Sequence, residues 1–204
     1  MLRQGEPADE TPAGYIVYLV RQDWSGHRAR HTARVMELIA ATSEARRALW
    51  RFVASLDLVA RVETENAPPD EPLEWMLEDP RVVRVSQLVE GMYVRLLDVP
   101  QALRSRAYGH DAALTLEVSD SFLPECGGVF RLSQSRGRVT CRRADETRAD
   151  LSLSSPALAS LYLGDHGFGK LADAGRVVEL PPGALETADR MFAARPLPWS
   201  ATVF

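Results

Sequence analysis

Apolar and polar positions along this chain change period at places that divide it into short elements. Residues 14–20, GYIVYLV, are apolar almost throughout, as in a strand, and the QDWSGHR that follows carries turn residues. RHTARVMELIA, residues 30–40, alternates Ala33 and Val35 with Arg34 and then becomes apolar, which predicts a second strand. Beyond it the period lengthens. Ala45, Leu49, Phe52, Val53 and Leu56 recur at three- and four-residue steps, one face of a helix. A hydroxyl of Thr42 or Ser43 can accept from the free N–H groups of its first turn, and Glu44 suits its positive end. LVARVET, residues 58–64, predicts a third strand and NAPPDEP a loop; PLEWMLED predicts a short helix with Pro72 near its first position and Pro80 ending it. RVVRVSQLVEGMYVRLLDV reads as two strands joined near Glu90-Gly91.

At Asp98-Val99-Pro100 the pattern switches again. VPQALRSR predicts a short helix, and a domain boundary is expected close to residue 97. AALTLEVSD, GGVFRLSQS, GRVTCRRA and TRADLSLS then read as strands separated by turn signals. SPALASLYLG is a helix with Ser155 as cap and Pro156 at its first position, and GKLADAGRV is a shorter one ending at Gly175. VVEL is extended. PPGALETADRMFAAR is the last helix, with Leu185, Ala188, Met191 and Phe192 on one face. Residues 1–13, rich in Asp, Glu, Pro and Gly without a hydrophobic period, read as a disordered leader. Strands and helices mixed without a long βαβα alternation predict an α+β fold, with one region at 14–97 and another at 98–204.

Composition narrows the function classes. The chain has 204 residues, a net charge of −4 and a single lysine, Lys170, with its arginines balanced by acids. No basic tract marks a nucleic-acid surface, and no run of about 18 apolar residues marks a membrane span. The polar start lacks the apolar core of a signal peptide. Cys126 and Cys141 have neither CxxC spacing nor a nearby His pair, so they read as reduced thiols of a cytoplasmic protein; a disulfide would need neighbouring strands to carry them.

Several motifs fall short of the chemistry they suggest. Gly164 to Lys170 fits G-x-x-x-x-G-K, but Leu171 stands where a phosphate-binding loop needs the Ser or Thr hydroxyl that holds Mg²⁺. The plainer reading is a glycine-rich connection between helices. His27 and His31 are spaced like HExxH, but position 28 is Arg28 and not Glu, and Arg28 and Arg30 repel a cation. No GxSxG elbow is present. Asp98 ends an apolar strand; it reads either as the cap of VPQAL or as a carboxylate at the domain junction aimed at a cationic ligand. The last stretch, ARPLPWSATVF, ends on an apolar ring and an α-carboxylate together. If the Phe204 ring docks in an apolar pocket, desolvation raises that carboxyl above its usual pKa of about 3.3–3.7 and makes it a better proton acceptor near neutral pH. The alternative is a tail that plugs the core with its carboxylate in water.

GYIVYLV, MELIAATSEARRALWRFVASLDLVARVE, DEPLEWMLEDPRVVRV, MYVRLLDVPQAL, LYLGDHGFGKLADAGRV and the terminal PWSATVF occur in the order found in the Eis (enhanced intracellular survival) family, and the chain resembles it over residues 14–204. The family joins an active N-terminal GNAT acetyltransferase domain, a second degenerate GNAT domain and a sterol carrier protein-like domain. The resemblance implies that residues 14–97 are the later half of the degenerate GNAT domain and 98–204 the sterol carrier-like domain. ELIAATSEARRALW, where a working GNAT domain has its R/Q-x-x-G-x-G/A loop, contains no glycine, so no acetyl-CoA is expected to bind this chain. In the family the terminal carboxylate acts as base toward the substrate amine while a Tyr of the N-terminal domain protonates the leaving thiolate of acetyl-CoA. That puts the base on Phe204, with Asp98, Val203 and Trp199 toward the amine substrate, an aminoglycoside or a lysine side chain. The resemblance further implies a homo-oligomer, a hexamer in the intact family, and an N-terminal acetyltransferase domain missing from this chain. A second expectation, from fold analogy alone, is an apolar-ligand-binding module of the sterol carrier kind.

Overall fold

The structure is a computed structural model that describes residues 2–3, 12–145 and 148–201. It divides into two compact units, Met1–Val89 with Trp199–Phe204, and Glu90–Pro198.

The first unit is a sheet with one helix. Strand β1 (Leu2–Arg3) pairs antiparallel with β2 (Pro12–Arg21), so part of the expected disordered leader lies in the sheet; residues 4–11 lie outside the described residues. A two-strand tip, β3 (Trp24–Ser25) and β4 (Arg28–Ala29), turns the chain into β5 (His31–Ala40). Helix α1 (Ser43–Ala54) then crosses to β6 (Val59–Thr64), which lies parallel to β5. The order is β1-β2-β5-β6. Thr42 caps α1, its hydroxyl accepting from the Ala45 N–H at 3.1 Å. The apolar stripe of α1, Leu49, Trp50 and Val53, packs on Ala33, Val35 and Leu38 of β5. On β2 the two-residue period sends Ile16 and Tyr18 to that core, while Tyr15, Val17 and Leu19 on the other face stay 41–57% exposed.

The two strands expected over residues 81–99 do not form. Pro72–Met76 and Pro80–Val82 are single 3₁₀ turns, and residues 83–96 carry no regular structure. Val85, Leu88 and Tyr93 are more than four-fifths exposed. Apolar alternation suits a strand locally, but a strand exists only with a hydrogen-bonding neighbour, and none of the described strands takes this segment. Trp75 stands 78% exposed.

The second unit is a five-stranded sheet with four helices. Helix α2 (Val99–Ser105) leads into β7 (Ala112–Ser119), β8 (Gly128–Ser135), β9 (Arg138–Arg143) and β10 (Leu151–Ser154). Helices α3 (Ser155–Tyr162) and α4 (Phe168–Asp173), strand β11 (Val177–Glu179) and helix α5 (Ala184–Phe192) complete it. The order is β11-β10-β7-β8-β9, with β10 parallel to β7 and the other pairs antiparallel. Between β8 and β9, Arg136 and Gly137 take φ of 50° and 77°, the two left-handed residues of a tight hairpin turn that matches strand twist. Ser154, one residue before the expected cap, closes α3 through the Ala157 N–H. Leu114, Leu116, Phe130, Leu132, Leu151 and Leu153 of the sheet share one core with Leu103, Leu158, Phe168, Met191 and Phe192 of the helices.

At the end of β7, Asp120 secures the entry to this unit. Its carboxylate accepts the N–H groups of Phe122 and Leu123 and pairs with Arg95 at 2.6 Å. The Leu123 N–H first, then the Phe122 N–H, the Ser155 hydroxyl and the Arg95 guanidinium, outweigh desolvation and push its pKa down to about 2 from 3.8. A lowered carboxyl stabilises the fold above its unfolded pKa and loses that contribution as pH falls through its folded one. Asp120→Asn is therefore expected to be less stable than the native chain at pH 7, with the gap closing between about pH 4 and pH 2. Urea unfolding across that range measures it, and a gap independent of pH contradicts it.

Candidate functional site

Beyond α5 the chain runs through Arg195–Pro196, a cis peptide, and from Trp199 it belongs to the first unit. There it meets the loop after β6. Asn66 holds it: the Trp199 Nε1–H donates to Asn66 Oδ1 at 2.8 Å, and Asn66 Nδ2 donates to the carbonyls of Ser200 and Ala201 at 3.0 and 3.1 Å. The loop is itself tied down on both sides of Asn66. Glu65 pairs with Arg34 of β5, while Glu71 accepts from Trp50 Nε1 of α1 at 3.0 Å and from Arg46. Pro68 and Pro69 between them remove backbone freedom. No local pattern marks Asn66, whose partner Trp199 lies 133 positions away.

Of the other residues expected at the site, Val203 and Phe204 lie outside the described residues. Asp98 belongs to the second unit, where it is exposed and caps α2, its Oδ1 accepting from the Gln101 N–H at 2.9 Å. The capping reading of Asp98 is met by this hydrogen bond.

The remaining motifs resolve into structural roles. In the Gly164–Lys170 stretch, the Phe168 and Gly169 N–H groups donate to the Asp189 carboxylate of α5, which occupies the place a phosphate would take. His31 is buried, with its Nδ1 accepting from the Asp23 N–H at 3.1 Å and its ring against Trp24. No group of three metal-ligating side chains occurs among the described residues. Both cysteines are free thiols; burial pushes Cys141 up to about 11, far from a reactive thiolate. Phe130, Phe168, Met191 and Phe192 belong to the core of the second unit, none more than 1% exposed. No helix among the described residues is long and apolar enough to cross a membrane.

The resemblance sets the junction of β5 and α1 where a working GNAT domain holds the cofactor pyrophosphate. A cradle needs backbone that an anion can approach closely and free N–H groups at the helix start. Here no glycine occurs between Gly26 and Gly91, Thr42 takes the Ala45 N–H, and Glu44 puts a negative charge in the first turn. These residues do not fit the diphosphate of acetyl-CoA.

Comparison with known proteins agrees with this two-part architecture. A GNAT acetyltransferase domain model matches residues 5–96, and a sterol carrier protein domain model matches residues 99–201. The first match begins inside the expected leader. It places a GNAT domain within this chain, and the comparisons give no support to a missing N-terminal acetyltransferase domain. A Streptomyces griseus protein named as an uncharacterized N-acetyltransferase is 38% identical over 97% of this chain and 47% of its own length. The N-acetyltransferase Eis of Mycobacterium tuberculosis is 36% identical over 90% of this chain and 43% of its own. The crystal structure of Eis1 from Mycobacterium abscessus superposes with a TM-score of 0.81 at 35% identity, covering 95% of this chain and 49% of that one. The chain spans about half the length of the curated relatives it matches.

The capping role of Asp98 has a direct test. Asp98→Ala is expected to cost about 1 kcal/mol of stability and Asp98→Asn to recover most of it, because Asn caps nearly as well as Asp. Thermal unfolding of the two variants decides it; equal losses for both contradict the cap.

Proposed function

We propose, from a chain that belongs to the family joining a GNAT acetyltransferase domain to a sterol carrier protein domain, that it works in N-acetyl transfer to amines of the aminoglycoside or lysine type. In this reading the α-carboxylate of Phe204 is the general base. An alkyl amine with a pKa near 10.4 is protonated at neutral pH, so the lone pair that attacks must first be freed. A carboxylate within hydrogen-bond reach of the ammonium accepts that proton. The observation that carries the reading is the seat of the tail: Trp199, Ser200 and Ala201 are bound to the loop of the GNAT-type unit.

Acetyl-CoA is the donor in the intact enzyme, held by protein outside these 204 residues. The unfit β5–α1 junction supports this. The open face of the first sheet supports it too. Tyr15, Val17 and Leu19 leave an apolar face 41–57% exposed. A neighbouring domain or a further copy of the chain buries that face, and a homo-oligomer follows the same logic.

Two outcomes are expected. The isolated chain binds no acetyl-CoA in calorimetric titration at millimolar concentration and transfers no acetyl group to an aminoglycoside; turnover by the chain alone contradicts this. In the enzyme assembled with its donor-binding domain, extending the chain past Phe204 by a few residues lowers kcat by about 100-fold or more, the usual worth of a general base. Unchanged turnover refutes the base.

A further inference from the structure

We propose that Asn66 is the residue that positions the C-terminal carboxylate, its side-chain amide clamping the chain at Trp199, Ser200 and Ala201 and so tethering Phe204 to the loop after β6. The proposal rests on the reading of Phe204 as the base. An Asn side chain offers two N–H donors and one carbonyl oxygen. All three functions meet the tail: Oδ1 takes the Trp199 indole N–H at 2.8 Å, and Nδ2 donates to Ser200 O at 3.0 Å and Ala201 O at 3.1 Å. Flipping the amide would turn its oxygen onto two carbonyl oxygens and its N–H groups onto an indole N–H, so the partners determine its orientation.

The clamp is rigid because its loop is. Glu65, next to Asn66, is paired to Arg34 of the sheet, and Glu71 is paired to Arg46 and hydrogen-bonded to Trp50 of α1. A positioning residue needs such support, since its own precision is that of the backbone beneath it. Clamping shortens the tether to Thr202, Val203 and Phe204, which together reach about 11 Å at most. In this proposal the tether keeps the carboxylate within that reach of the clamp. Confinement of this kind is the entropic part of catalysis, since a base held near the amine reacts more often than one on a free tail.

The test uses the full chain and carboxypeptidase A, which removes a terminal Phe only from a tail that can enter its cleft. Release of Phe204 and Val203 is followed by mass spectrometry in the native chain, Asn66→Ala, Asn66→Asp and Trp199→Phe. Asn66→Asp keeps the shape and the indole acceptor but faces two carbonyls with a carboxylate, so a purely steric role predicts native behaviour. Expected is release about tenfold faster from both Asn66 variants and a smaller gain from Trp199→Phe, at unchanged melting temperature. Native release rates in Asn66→Ala and Asn66→Asp overturn the clamp.

In the assembled enzyme, Asn66→Ala is expected to lower kcat at little change in KM. Faster release with kcat unchanged overturns the positioning role. If removal of Phe204 leaves transfer untouched, the base reading fails, and the release rates by themselves decide the clamp.

Discussion

The end of α5 is the constraint on which the second unit depends. The Phe192 ring stacks edge-on against Phe168 at 4.9 Å and Tyr108 at 5.2 Å between centroids. The Arg106 guanidinium lies 4.5 Å from the centre of that ring and donates to the Phe192 carbonyl at 2.8 Å. One turn earlier on α5, Asp189 holds the first N–H groups of α4. Gly164 lies so close that an added Cβ would stand 2.5 Å from the Phe192 carbonyl, and its φ of +87° admits little but glycine. The glycines that imitate a phosphate loop thus serve close packing against α5.

The first unit poses a different problem. Its core forms on one face only, where α1 covers β2 and β5, and its helix start lacks what a diphosphate requires. What it does offer is a rigid loop. Two ion pairs and two prolines fix the backbone around Asn66, and Asn66 in turn holds the last described residues. This unit therefore holds the chain at Trp199, Ser200 and Ala201.

Elements with a strong period were legible in the chain: α1, α5 and strands β2, β5, β6 and β7–β11 stand where the alternation and the helical stripes predict them, whereas β1 does not. Leu171 and Arg28 break by residue type the motifs that surround them. The strands expected at 81–99 were not legible as irregular, since Val83, Val85, Leu88 and Val89 carry a strand's composition without a partner. The Ser154 cap differs from the expected Ser155 by one position, because either hydroxyl is chemically competent and only backbone geometry chooses between them.

The sequence by itself determined the fold class and the places of the strongly periodic elements. Each follows from residue type and short-range period, which are local properties. Only the tertiary structure decided that Asp98 caps a helix, that Asp189 fills the glycine-rich turn and that Asn66 binds the tail. Asp189 and Asn66 reach partners 21 and 133 positions away. No periodicity encodes such pairings, because they exist only once separate elements have packed and brought a donor to its acceptor.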